Sequence, residues 1–556
     1  MSKAFIIEIT QKALEKLGLS SVDIALEHPT DLSHGDYATN VAMILAKKAG
    51  EDPRALAEKI TSQIISALPD TEGFIEKVEV AGPGFINFYL SRKFFSQSIQ
   101  TILKSDKEWG KGSTYAGKQF FFEYFQPNMF KVLHIGHLVN AIVGEALSRL
   151  VEFSGAKVYR ATYYSDIGLN IAKALWALKK KESFSTVDEL SDAYVEGKIA
   201  YEEDETAKSE IDDINKKLYE KSDPELNALY EKGIILSKTH DDGIARRLGS
   251  RFDYDLLESD AAVVGIKVVK DALARGILEE SQGAVIFPGE KYGLHTRVFL
   301  NSKGLPVYET KDIGLVQLKL DKVQADHLVI VTDVEQAEYF KVVVKAVEEI
   351  FPELAGKVVH VSHGRLRLPT GRMSSRSGGV IAAESFLNDM QNIILKRIDD
   401  KDIADQIAQA AVKYTILKQG IGKSIVFDIE RSVSVEGDSG PYLQYTAVRA
   451  ASVIQKAREA GISPEADTPT ADIAAIERLL YRFPEVVGTA TKDMGPQYVV
   501  QYLTALAGAF NTWYAHEKII DRESPHSPYR VALTQAVKTV LENGLWLLGI
   551  TVPERM

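Results

Sequence analysis

Residues 123–155 read EYFQPNMFKVLHIGHLVNAIVGEALSRLVEFSG. The stretch opens on the end of an aromatic run, QFFFEYF (119–125), which predicts a strand. Beyond it Ile142, Val143, Ala146, Leu147, Leu150 and Val151 recur at helical spacing, and Gly155 marks the stop. In the turn between stand two of the chain's 11 histidines, His134 and His137, with Ile135 and Gly136 between them. Residues three apart share a helix face, so both imidazoles leave the first turn on one side. A helix N-terminus offers unpaired N–H groups and partial positive charge, which suit a phosphate. Gly136 lets a flat group approach the backbone, and two imidazoles can donate hydrogen bonds to a phosphate as charge builds on it. A metal site would need further ligands, and none is suggested. Two structural histidines remain the plain alternative.

Working outward, AKVYRATYYSD, GAVIFPG, TRVFLN, HLVIVTD and KVVHVSH are strand candidates separated by helical stretches. That alternation predicts a mostly parallel, doubly wound sheet. The charged stretch from about 178 to 250 reads as a helical insertion into it. Residues 1–112 form a small α+β unit, with helical patterns at 3–17 and 52–67 and strands in KVEVAG and FINFYL. GKGSTYAGK (110–118) reads as a linker. From 405 to 556 the pattern is helical and predicts an all-α bundle. The expected division is therefore 1–112, a Rossmann-type core at 113–404, and 405–556.

The chain has 556 residues, enough for three or four domains of roughly 100–200 residues each. It has no cysteine, which excludes disulfides, thiolate metal sites and a cysteine nucleophile, and fits a reducing compartment. No apolar run reaches the roughly 18 residues of a membrane span. A soluble cytoplasmic protein is expected. Net charge is −11, which taken alone argues against a nucleic-acid partner. The acid is concentrated, however: YEEDETAKSEIDD (201–213) carries seven acids and one lysine. A second suggestive piece, LPTGRMSSRSGGVIAAESF (368–386), combines Arg372 and Arg376 with glycines and serines. Such a loop suits a phosphate gripped only during reaction, or is a solvated surface loop.

HIGH after a strand, with RMSSR far downstream, resembles the signature pair of the class I aminoacyl-tRNA synthetases. The surroundings resemble the arginyl-tRNA synthetase family: EYFQPNMFKVLHIGHL, YYSDIG, GLPVYETKDIG, DVEQAEYFKVV, SGPYLQYTAVRAASVIQKA and LLGITVPERM. HGDYATNVAMILAKKAG and GPGFINFYL resemble its N-terminal domain, so the likeness covers nearly the whole chain. It implies a Rossmann catalytic core, an N-terminal domain for the tRNA elbow and a helical anticodon-binding domain. It implies ATP with Mg²⁺ and no zinc, L-arginine and tRNA(Arg) as partners, no membrane, and a monomer. By motif match Glu123, Asn128, Tyr308, Asp312 and Gln336 form the arginine pocket. His134, His137, Lys131, Arg372 and Ser374 serve catalysis, and Gly136 and Met373 join the histidines around ATP. Phe85, Asn87, Tyr442, Gln444, Tyr445 and Arg449 meet tRNA.

The substrate's chemistry agrees with those residue types: a guanidinium is planar, always charged and wants carboxylates and an aromatic face. Several positions depart from the family's pattern. Gln126 stands where Ser is common, Val139 where Arg is frequent, and Ser165 where Asn is frequent. Arg372 and Ser375 replace the two lysines of the second signature, and Lys131 then supplies the compensating charge. A catalytically impaired tRNA-binding relative and a class I synthetase of another specificity are the alternative readings.

Overall fold

The computed structural model describes residues 2–19, 22–68, 73–368 and 381–556. Arg372, Met373, Ser374 and Ser375 lie outside the described residues. Contacts divide the chain into two compact units. One comprises residues 110–448, 484–504 and 542–556, the other 1–109, 449–483 and 505–541.

The first unit is built on five parallel strands. Their spatial order is Val358–His363, His327–Asp333, Gln119–Phe125, Lys157–Tyr164, Tyr254–Leu257. Gln119–Phe125 is central, and its aromatic run follows from burial on both faces. Phe121 packs among Ala161, Leu256, Ile313 and Val316. Tyr124 faces the helix Ile135–Phe153, where a Cβ on Gly144 would stand 2.1 Å from its ring. The helices Glu258–Ala274 and Tyr308–Lys322 cross equally closely. A Cβ on Gly314 would lie 2.0 Å from the Ala261 carbonyl oxygen, and one on Gly265 would lie 2.0 Å from that of Thr310.

Two expected strands lie elsewhere. Ala284–Phe287 and Arg297–Leu300 form, with Glu279–Ser281, a separate antiparallel sheet. The cause is local. Gln282 and Gly283, both at positive φ (50° and 78°), make a two-residue turn, which can join only antiparallel neighbours. The edge strand of the parallel sheet is instead Tyr254–Leu257, just beyond the insertion.

The insertion consists of the helices Val187–Glu203, Glu205–Glu220 and Pro224–Arg247. It supports the turn that leads to the histidines. Phe130 sits at φ 63°, its ring against Gly233, and its N–H donates to Ser237 Oγ at 3.0 Å.

The second unit holds a three-stranded antiparallel sheet, Tyr37–Thr39, Phe85–Leu90 and Ile75–Ala81. Within it the buried Glu477 pairs with Arg92, and the buried Asp36 with Arg478. Tyr481 joins Tyr37 and Phe95 in its core. This unit thus combines residues 1–109 with 449–483 and 505–541. No helix among the described residues is long and apolar enough to cross a membrane.

The helix crossing yields a test. Ala outranks Gly in helix propensity by about 1 kcal/mol, so Gly314→Ala would stabilise a free helix. Here the new methyl meets backbone that cannot give way. Urea denaturation should show a net loss of about 1–3 kcal/mol. A gain would contradict the packing.

Candidate active site

The carboxyl ends of all five parallel strands converge on one cleft of about 810 Å³. The chain runs from the central strand to one side through Lys157–Tyr164 and Tyr254–Leu257, and then to the other through His327–Asp333 and Val358–His363. The cleft opens where that order reverses, the usual ligand position in a doubly wound sheet.

His134 is the N-cap of the helix Ile135–Phe153, just outside its first turn. Nδ1 of His134 accepts the Gly136 N–H at 3.0 Å, and Nδ1 of His137 accepts the His134 N–H at 3.2 Å. A ring nitrogen that accepts carries no proton, so each neutral imidazole keeps its hydrogen on Nε2. The ring centroids are 3.9 Å apart. Burial pushes both pKa values down, with Lys131 adding, and His137 falls to about 3. Both rings are thus neutral Nε2–H donors on the cleft wall. Gly136 is required for their placement, because a Cβ there would stand 2.7 Å from His134 Cε1.

Carboxylates dominate the rest of the wall, and most are already paired. Glu123, expected to meet the substrate guanidinium, is buried and bound to Lys319 at 2.5 Å. Gln126 donates to Glu123 at 3.1 Å and to the Val331 carbonyl, and accepts from Asn140 at 2.8 Å. Glu258 is held by Lys311 and Ser165. Glu309 meets Arg297 at 3.4 Å, and Asp333 and Glu335 both meet Arg365. Among the described acids of the lining only Asp312 has no ion pair; its partner is the Tyr339 hydroxyl, which donates at 2.5 Å. Burial pushes the Asp312 carboxyl up to about 7. The Tyr339 hydrogen bond opposes that rise, and the charges of Glu123 and Glu309 add to it.

The cleft therefore brings together Glu123, Asn128, His134, Gly136, His137, Tyr308, Asp312 and Gln336. Tyr308, 68% exposed, stands at the mouth, one helical turn before Asp312. Lys131 is not on the wall: its ammonium lies 3.8 Å above the Tyr194 ring. The other expected contacts are not among the residues that line the cleft. Phe85 is half-exposed, whereas Asn87 beside it on the same strand is buried. Gln444 is fully buried and donates to the Thr551 carbonyl at 2.6 Å, so it is a tie within the fold and not a surface group. Tyr442 and Tyr445 are half-buried on the helix Gly440–Glu459.

Sequence reading missed Tyr163, Glu258, Arg297, Asp333, Glu335, Tyr339, His363 and Arg365, all of which line the cleft. Six of these stand on or within three residues of a parallel strand's carboxyl end: Tyr163, Glu258, Asp333, Glu335, His363 and Arg365. That rule would have found them. Among the described residues no group of three or more His, Cys, Asp or Glu side chains is placed to hold a metal ion.

Comparison with known proteins supplies the family. Residues 98–432 match the model of the tRNA synthetases class I (R) catalytic domain. Residues 443–556 match the DALR anticodon binding domain, and 4–90 the arginyl tRNA synthetase N terminal domain. The arginine–tRNA ligase of Borrelia hermsii is 30% identical, covering 98% of this chain and 96% of that protein. That of Streptococcus suis is 30% identical over the full length of both. The Thermus thermophilus arginyl-tRNA synthetase structure superposes with TM-score 0.80 at 25% identity and full coverage of both chains. The Plasmodium falciparum enzyme, at 21% identity and TM-score 0.83, shares the fold. With a catalytic-domain match across more than half its length and full-length relatives at 30% identity, the chain belongs to the arginyl-tRNA synthetase family of class I aminoacyl-tRNA synthetases.

Proposed function

We propose that the chain is an arginine–tRNA ligase. The arginine carboxylate attacks the α-phosphate of ATP, giving arginyl-adenylate and pyrophosphate. The 2′- or 3′-hydroxyl of the terminal tRNA adenosine then takes the arginyl group and releases AMP. The observation that carries this reading is one cleft with an unpaired acid, Asp312, and two neutral Nε2–H imidazoles at a helix N-terminus. A guanidinium supplies the cation that Asp312 lacks, and Tyr308 and Tyr339 offer it aromatic faces. Glu123 acts through its field, since Lys319 holds it. The imidazoles donate to the α-phosphate as negative charge moves onto it, with no proton transfer required. Mg²⁺ enters with ATP as part of that substrate. The motif assigns Lys131, Arg372, Met373 and Ser374 to ATP as well, and Lys131 is close enough for its charge to depress both histidines.

For tRNA the reading assigns Phe85 on one surface, and Tyr442, Tyr445 and Arg449 on another. Arg449 is held for that task by Asn511 at 2.5 Å and by the Tyr514 ring. The reading divides the chain into an elbow-binding segment, a catalytic core and an anticodon-binding segment, and the three family matches support it. The enzyme works as a monomer in the cytoplasm, where translation supplies its tRNA.

ATP–pyrophosphate exchange over all twenty amino acids tests the reading. Exchange should respond to arginine alone and require tRNA, because tRNA must favour a competent state. Exchange with another amino acid, or none with tRNA(Arg) present, would defeat it. His134→Ala and His137→Ala should each slow activation by about 10²–10³-fold with little change in arginine affinity. Selective ¹⁵N labelling should show the His137 ring as an Nε2–H tautomer that does not titrate between pH 5 and 8.

Asp312 gives a pH test. Its pKa is raised to about 7, so below that pH arginine must displace a proton, and above it the carboxylate is ready. Arginine affinity should weaken as pH falls through 7, approaching tenfold per pH unit. Tyr339→Phe removes a hydrogen bond that favours the carboxylate, so the transition should move to higher pH. An affinity flat from pH 8 to 6 would remove Asp312 from the pocket.

A further inference from the structure

The described lining of the cleft carries two arginines, and the motifs explain neither. Arg297 belongs to the acid end, paired with Glu309 and 5.2 Å above the Tyr339 ring. Arg365 belongs to the histidine end. It follows the strand Val358–His363, whose last residue, His363, hydrogen-bonds Asn140 on the histidine helix. Gly364 fixes its starting point, since a Cβ there would stand 1.9 Å from the Lys423 carbonyl oxygen. The Arg365 guanidinium meets Asp333 at 3.5 Å and also Glu335. Asp333 ties this group to the histidines, because its charge raises the pKa of His134 and of His363 against the effect of burial.

The electrostatics of this end are incomplete without Arg365. The two imidazoles donate hydrogen bonds but bring no charge, and Asp333 and Glu335 are negative. A triphosphate adds several negative charges to that surface. The Arg365 pairs are solvent-accessible, with side chains 46% exposed for Arg365 and 65% for Glu335, so they hold weakly and can be exchanged. A guanidinium pairs with phosphate in the same bidentate manner as with carboxylate.

We propose that Arg365 is a nucleotide-binding residue, which leaves Asp333 and Glu335 to engage a phosphate of ATP in the cleft. This rests on the ligase reading above and adds a cation to it. Asp333 and Glu335 keep the guanidinium at the wall. On nucleotide entry it turns to a phosphate oxygen.

The test uses the full chain with tRNA(Arg) in the exchange assay. Arg365→Gln should raise the KM for ATP by about 10–100-fold, while the KM for arginine stays within about twofold. Arg365→Lys keeps the charge and loses the fork, and should raise the ATP KM less than Arg365→Gln does. Inhibition by AMP should weaken in Arg365→Gln, and inhibition by adenosine should not. An unchanged ATP KM, an equal rise for arginine, or an equal loss for adenosine would each overturn the phosphate contact. If Arg365→Gln does not fold, the same three readouts on Arg365→Lys decide. Absence of arginine-dependent exchange in the unaltered chain would defeat the ligase reading itself, whereas normal exchange there with an unchanged ATP KM in the variants defeats only this proposal.

Discussion

A helix must satisfy the N–H groups of its first turn, and the site depends on how the helix Ile135–Phe153 does so. Serine or aspartate is the ordinary solution. Here the acceptors are two imidazole Nδ1 atoms. The choice fixes both tautomers and both ring planes before any ligand arrives, so structure and chemistry share the same hydrogen bonds. The other end of the helix is equally constrained. Glu145 receives the Tyr124 hydroxyl at 2.6 Å and Arg149 Nε at 2.7 Å, and Arg149 also donates to the Trp546 carbonyl at 2.9 Å. Beside it Lys413, whose pKa burial pushes down to about 7, donates to the Gly549 carbonyl at 2.6 Å. The helix that carries the histidines is thus tied both to the central strand and to the C-terminal residues.

Charge pairing does the selecting at the other end of the cleft. Glu123–Lys319 and Glu258–Lys311 are buried pairs, and such pairs contribute little net stability because desolvation offsets attraction. Their consequence is positional. Each pair removes a carboxylate from competition for an incoming cation and leaves Asp312, held by a neutral hydroxyl, as the acid that gains most from one. A field of neighbouring carboxylates still favours a cationic ligand over a neutral one of the same shape.

Much of this was legible in the sequence, for reasons that also set the limit. Periodicity reports burial, so the strand Gln119–Phe125 and the helix after it could be read directly. Periodicity does not report partners. GAVIFPG and TRVFLN are strands, but their sheet is decided by the Gln282–Gly283 turn, which a search for alternating strands and helices passes over. Tyr308 and Asp312, both named by the motif, stand four apart on the helix Tyr308–Lys322 and so share one face. The motif could not place Lys319 against Glu123, because that contact spans 196 residues of chain and leaves no local pattern. Gln444 shows the converse: the resemblance puts it among the tRNA contacts, yet it is buried and its amide nitrogen is spent on the carbonyls of Gln406 and Thr551.

The histidine turn is also held by main chain from a distant part of the sequence. Leu366–Arg367 pairs with Ile425–Val426. Ile381–Ala383 lies against the histidine turn. There the Ile381 carbonyl accepts the Ile135 N–H at 3.1 Å, the Ala383 N–H donates to the Leu133 carbonyl at 2.8 Å, and His134 bridges to Ala382. The Ile135 amide is one of the first-turn donors left over once the imidazoles have taken Gly136 and His134. Residues 381–383 are therefore fastened by completing the same helix cap that orients the histidines. A shift in that cap displaces Ile381–Ala383 and the two imidazoles together, because one set of hydrogen bonds positions both.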